Sequence, residues 1–353
     1  MLNINVMKRS LIVILILTGI LSWNCSRTID KPSLKQSFEA GTAKINEALP
    51  VISQTKGFDL MSLSGDLNKS AEDYHDSITL DLIAGIYDFM PDTFICYRYM
   101  KPFWTFKKTG ESDKMIVNLP QRMMFHPRYL LNVTPPDTVP VNDFTITASD
   151  YHFYYSFWNR YDYSLSAGLT LKSEDIGTLD VKAAGASFAD QSYSSAFAFT
   201  DDYSILVTSE KGDTSVRSFA LMEGDKALLK ETSVFIWKDF RMGEKVYTVS
   251  VGNIDIVRTT GIDSIQVFLD GTLQKTAAAK ITDVDGDDGS ICHHRDILLT
   301  FDDGTTAKLS ELIGPAREIL KTLVDSMHSM YFAKHVVDYI ALNIYYQPYF
   351  MRH

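Results

Sequence analysis

From Tyr161 to Leu171 the chain sets Tyr161, Tyr163, Leu165, Ala167, Leu169 and Leu171 at every second position, with Asp162, Ser164, Ser166, Gly168 and Thr170 between them. A period of two over this length is a β-strand with one dry face and one wet face. Turn signals then recur, several about 8–12 residues apart and some wider, at Asp175, Asp190, Asp201-Asp202, Lys211-Gly212, Glu223-Gly224, Met242-Gly243, Asp263, Asp270-Gly271, Gly286 to Gly289 and Asp303-Gly304. The clearest hairpins are Asp270-Gly271, between Ile265, Val267, Leu269 and Leu273, and Asp303-Gly304, after Leu299 and Phe301. Glycine accepts the positive φ that such turns need. Parallel neighbours require long crossover connections, usually helical, and no such stretch interrupts the series. The pattern therefore predicts an antiparallel meander.

The flanks read differently. Residues 26–57 form a polar tether and then a helix, with Leu34, Phe38, Ala43, Ile45, Ala48 and Leu49 at roughly helical spacing before Pro50. Residues 58–140 make a first β-containing region. In it Phe103 to Lys108 and Met115 to Leu119 flank Thr109, Gly110, Glu111 and Ser112, a hairpin signal. Pro135, Pro136 and Pro140 cannot lie in a central strand and mark the best internal break. The meander occupies 141–309. From 310 to 353, Leu312, Ile313, Ile319, Leu320, Leu323, Val324 and Met327, then Met330, Val336, Val337, Ile340 and Ile344, follow helical spacing, with Pro315 near the start and Pro348 at the end. The predicted fold is mainly β (α+β): an antiparallel meander sheet or open barrel, with an N-terminal helix and C-terminal helices packed against it.

Residues 1–25 read as an export leader. Lys8 and Arg9 precede an apolar run from Leu11 to Leu17, extended to Leu21. That is the length of a signal-peptide core and short of the roughly 20 residues a spanning helix needs. Met1 and Met7 both serve as possible initiators without changing this reading. Cys25, followed by Ser26 and a polar stretch, stands where bacterial lipoproteins carry their lipidated cysteine, although Ser22 and Asn24 depart from the usual residues before it. Lipid attachment at Cys25 implies a membrane partner and a place in the cell envelope, at the outer membrane or a periplasm-facing membrane. With a formal net charge of −10 the chain is a poor partner for nucleic acid, and a hydrophobic share of 45% supplies a large core. Cys96 and Cys292 either pair in an oxidising compartment or stay free and buried.

The leader, the Leu80 to Asp88 run (Leu-Asp-Leu-Ile-Ala-Gly-Ile-Tyr-Asp), the segment from Phe103 to Pro120 and the small-residue strands after Tyr161 together resemble a family of exported lipoproteins of unknown function from Bacteroides-type bacteria. The resemblance covers most of the mature chain. It implies localisation and a β-rich architecture, and no activity.

Candidate sites are few. The densest aromatic stretch runs from Tyr151 to Tyr163, and Tyr154, Trp158 and Tyr161 are its candidates for stacking on a sugar ring or lining an apolar pocket. Aromatics also suit a pleated, half-buried surface, so core packing competes with that role. Asp283, Asp285 and Asp287 invite calcium, but position six of the loop is Asp288 and position twelve is His294, where a calcium loop needs Gly and Glu. A solvated turn is the simpler reading. Cys292, His293, His294 and Asp296 could offer zinc ligands, yet neighbours on a strand point to opposite faces. No nucleophile elbow, phosphate loop, dinucleotide fingerprint or zincin helix is present, and no cofactor is implied. Three functions stay open: a membrane-tethered, non-catalytic binding or envelope protein for a hydrophobic or glycan ligand; a hydrolase of envelope or dietary polymers with two carboxyls about 5–9.5 Å apart; and a purely structural interaction module.

Overall fold

The computed structural model describes residues 32–62, 77–90, 106–121, 141–156, 160–187, 190–238, 241–260, 265–283, 295–314, 316–325 and 331–350. Helices α1 (Leu34–Ser53) and α2 (Lys56–Ser62) come first, followed by β1 (Ser77–Thr79), the single turn α3 (Leu80–Ile83), β2 (Gly85–Phe89), β3 (Phe106–Gly110) and β4 (Met115–Leu119). The long strands are β5 (Phe144–Tyr155), β6 (Tyr161–Leu171), β7 (Glu174–Ser187), β8 (Asp190–Ala198), β9 (Tyr203–Lys211), β10 (Thr214–Glu223), β11 (Lys226–Lys238) and β12 (Arg241–Val251). Shorter ones follow: β13 (Ile254–Thr259), β14 (Gln266–Leu269), β15 (Thr272–Leu273), β16 (Ala278–Asp283), β17 (Arg295–Thr300) and β18 (Thr306–Lys308). Three helices close the chain: α4 (Leu309–Ile313), α5 (Ala316–Asp325) and α6 (Tyr331–Phe350).

The meander is present as the alternation predicts. From β4 to β15 each strand pairs antiparallel with the next, within a sheet of 15 strands that does not close into a barrel. A second sheet, β16 to β18, has three strands. In β6 the dry positions Tyr163, Leu165, Ala167 and Leu169 are buried, and the residues between them are partly exposed. Register carries this face across the sheet: Ala167, Leu179, Phe197, Ile205, Leu221, Leu229, Val251 and Ile254 stand each opposite the next and are all buried.

The hairpin expected across Thr109 to Ser112 does not form. β3 and β4 are not a hairpin, because β2 lies between them, antiparallel to β3 and parallel to β4. The four-residue link Glu111 to Lys114 does reverse the chain, but it steps over the end of β2, where the Lys114 carbonyl accepts a hydrogen bond from the Gly85 amide at 2.9 Å. Gly85 makes the close passage possible: its φ is +144°, and a Cβ there would stand 2.4 Å from the Lys108 side chain. β5 is long enough for two partners on one edge, β4 along Phe144 to Ala148 and β1 along His152 to Tyr154.

The helices lie against the dry face. On α1 the buried residues Leu34, Phe38, Gly41, Ile45, Leu49 and Ile52 recur every three or four positions, while Ala43 is exposed. Gly41 lets the helix approach the sheet, since a Cβ there would meet the Val251 side chain at 3.0 Å. α1 continues one turn beyond Pro50, and α6 runs two residues past Pro348, so neither proline ends its helix. α6 buries Phe332, Ala333, Val336, Val337, Ile340 and Ala341. The predicted break at Pro135, Pro136 and Pro140 lies outside the described residues.

Candidate functional site

Burying one face of the sheet under helices leaves the other to solvent, and the alternation decides what stands there. Lys230 on β11 lies opposite Ser250 on β12, Ser250 opposite Asp255 on β13, and Asp255 opposite Phe268 on β14. Thr232, Thr248 and Val257 form the adjacent row in the same register. Strand twist and the Asp270-Gly271 turn shape these two rows into an open hollow of about 420 Å³, with Gly271 at its rim. Its lining carries one cation, one carboxylate, three hydroxyls and one aromatic ring. The Ser250 hydroxyl donates to Asp255 Oδ1 at 2.6 Å. Phe268 is half-buried and Lys230 is exposed.

A second polar group stands on the same face where β5 meets β6. The Ser164 hydroxyl donates to Asp150 at 2.7 Å, and His152 Nε2 lies 3.7 Å from Asp162. This arrangement binds the serine proton to a carboxylate rather than presenting it to the imidazole, so it does not form a nucleophile and base.

The dry face holds a third group. Asp338 on α6 accepts hydrogen bonds at Oδ1 from Tyr151 (3.2 Å) and Tyr163 (3.0 Å), and at Oδ2 from Lys334. The Lys334 ammonium also sits 4.3 Å from the centre of the Tyr163 ring. Burial pushes the Tyr151, Tyr161 and Tyr163 phenols well above the ordinary tyrosine range, and the Asp338 charge adds to the shift. A carboxylate taken from water needs such partners. The cluster pins α6 to β5 and β6.

The residues singled out from sequence are spread widely. Tyr161 lies on the dry face, stacked on Tyr163 with ring centres 6.2 Å apart and edge-on to Phe153 at 6.1 Å. Tyr154 pairs with Asp162 while Tyr161 pairs with Tyr155, so Tyr154 and Tyr161 occupy opposite faces and do not converge. Asp283 ends β16 opposite Arg295. Cys25, Cys96, Trp158, Asp285, Asp287, Cys292, His293 and His294 lie outside the described residues. Among the described residues no three His, Cys, Asp or Glu side chains gather as a metal site. Sequence reasoning did not single out Lys230, Asp255 or Phe268. Their polar and apolar alternation was visible, but their alignment across four strands was not.

The described residues thus form an open, largely antiparallel sheet with helices on one face and a polar hollow on the other. No protein-family model, no curated protein and no solved structure matches the chain.

Proposed function

We propose that this is an exported, lipid-anchored and non-catalytic binding protein of the cell envelope, which holds a glycan on the uncovered face of its sheet. The observation that carries the binding reading is the hollow over β11 to β14. It joins a half-buried aromatic ring to several hydroxyls, a carboxylate and an ammonium on one shallow, open stretch of the sheet. Glycans present apolar ring faces edged by hydroxyls, and few other ligands need both kinds of contact in so open a site. A hydrophobic ligand would instead call for an enclosed apolar cavity. The leader supports the anchor: Lys8 and Arg9, the apolar run and Cys25 follow the order of a lipoprotein signal, and no described helix is long and apolar enough to cross a membrane.

Two measurements test the two halves. Cys25→Ala should move the protein from the membrane fraction to the soluble one and remove an acyl mass from its N-terminal peptide. Unchanged partitioning, with no acyl mass on the wild type, contradicts the anchor. On a glycan array the detergent-solubilised full chain should give discrete positive spots that Thr248→Trp, which fills the hollow, abolishes. An array without signal, or one indifferent to that substitution, contradicts the binding reading.

A further inference from the structure

We infer that the ligand is a sparsely acidic glycan, a uronate-containing oligosaccharide, with its carboxylate at Lys230, hydroxyls at Asp255 and a sugar ring on Phe268; this rests on the binding reading above. The order of charges along one straight row carries the argument. Lys230, Ser250, Asp255 and Phe268 are successive cross-strand neighbours. At strand spacings of about 4.7–4.9 Å, three steps separate Lys230 from Phe268 by roughly 14 Å, the span of a short oligosaccharide. At one end the Lys230 ammonium has no hydrogen-bond or ion-pair partner among the described residues. An unengaged ammonium at the rim of a concavity is complementary to an anion. Two strands away Asp255 already accepts from Ser250 at Oδ1. Its remaining lone pairs accept only, so what faces it must donate, as a sugar hydroxyl does. A densely sulfated or phosphorylated chain would press negative charge against Asp255, on a protein whose formal net charge is already −10. A ligand with an occasional carboxylate satisfies both ends of the row. Thr232 and Thr248 add hydroxyls beside it.

The test is titration calorimetry on the full chain in detergent. The probes are a hyaluronan tetrasaccharide, in which uronates alternate with neutral sugars, and the same tetrasaccharide with its carboxylates methyl-esterified. The wild type should bind the acid at least tenfold more tightly than the ester. Lys230→Gln should erase that preference by lowering the affinity for the acid to that for the ester. Phe268→Leu, which keeps apolar bulk but removes the ring face, should weaken both by about tenfold. Thermal midpoints of the variants identify any that fail to fold, and Lys230 is exposed, so its substitution leaves the core untouched. Equal affinity for acid and ester, or a preference indifferent to Lys230→Gln, overturns the acidic assignment while leaving glycan binding standing. No binding of either probe also overturns it, and the array then decides separately whether the hollow binds any glycan.

Discussion

At the scale of single residues, the phenols under α6 give the sheet a defined response to pH. Tyr151 and Tyr163 are buried, donate to Asp338, and have pKa values raised chiefly by desolvation and then by the Asp338 charge. A phenol with a raised folded-state pKa ionises first in the unfolded chain. Its contribution to stability is therefore intact below the unfolded value of about 10 and is lost as the pH climbs above it toward the folded value. The urea midpoint should hold steady from pH 7 to 9 and fall beyond about pH 10. The double variant Tyr151→Phe/Tyr163→Phe should show a shallower fall, and an equally steep one would assign the alkaline loss to other groups. Tyr163 and Leu165 were legible as core because alternation is a local property of one strand. Lys230 and Asp255 were not legible as neighbours, because their alignment depends on a bulge. The register between β11 and β12 shifts at Ile236/Trp237, where Gly243 is the extra residue, and this shift sets Ser250 rather than Val249 opposite Lys230.

At the scale of elements, turns decide how faithfully the strands could be read. Asp270 (φ 48°) and Gly271 (φ 72°) are both left-handed, the form that an Asp-Gly pair signals. The β6–β7 turn has the same geometry on Lys172 (φ 52°) and Ser173 (φ 67°), two residues that advertise no turn, and the signal assigned to Asp175 falls inside β7. Met242-Gly243 likewise sits within β12, whereas the turn after β12 uses Gly252 (φ 59°). A left-handed non-glycine residue costs about 1–2 kcal/mol, partly offset in a glycine variant by the extra freedom of the unfolded chain. Lys172→Asn with Ser173→Gly should therefore stabilise the protein by about 1 kcal/mol, read as a higher urea midpoint at unchanged slope. A lower midpoint would mean that the turn holds these side chains for some other reason. The parallel placement of β2 beside β4 was also beyond local reading. The link at Glu111 to Lys114 has the composition of any reverse turn, and what it steps over is supplied by residues more than twenty positions upstream.

At the scale of the whole molecule, hairpin-by-hairpin growth explains why one face can be given to packing and the other to recognition. Strands added in sequence keep their dry positions in register, so helices can pack on that face, α6 on β5 and β6, α2 on β7 and α1 on β11 to β13. The wet positions fall equally into register and line up the polar row over β11 to β14. Thr248 and Val249 are consecutive, one lining the hollow and one buried beneath it. The most direct measurement is the rate of thiol labelling at Thr248→Cys and Val249→Cys, each in a background with Cys96 and Cys292 replaced by serine. Thr248→Cys should label freely and slow at least tenfold when a glycan positive on the array is added, while Val249→Cys should label at least a hundredfold more slowly with or without it. Equal rates at the two positions, or labelling at 248 that no bound glycan slows, would contradict the account.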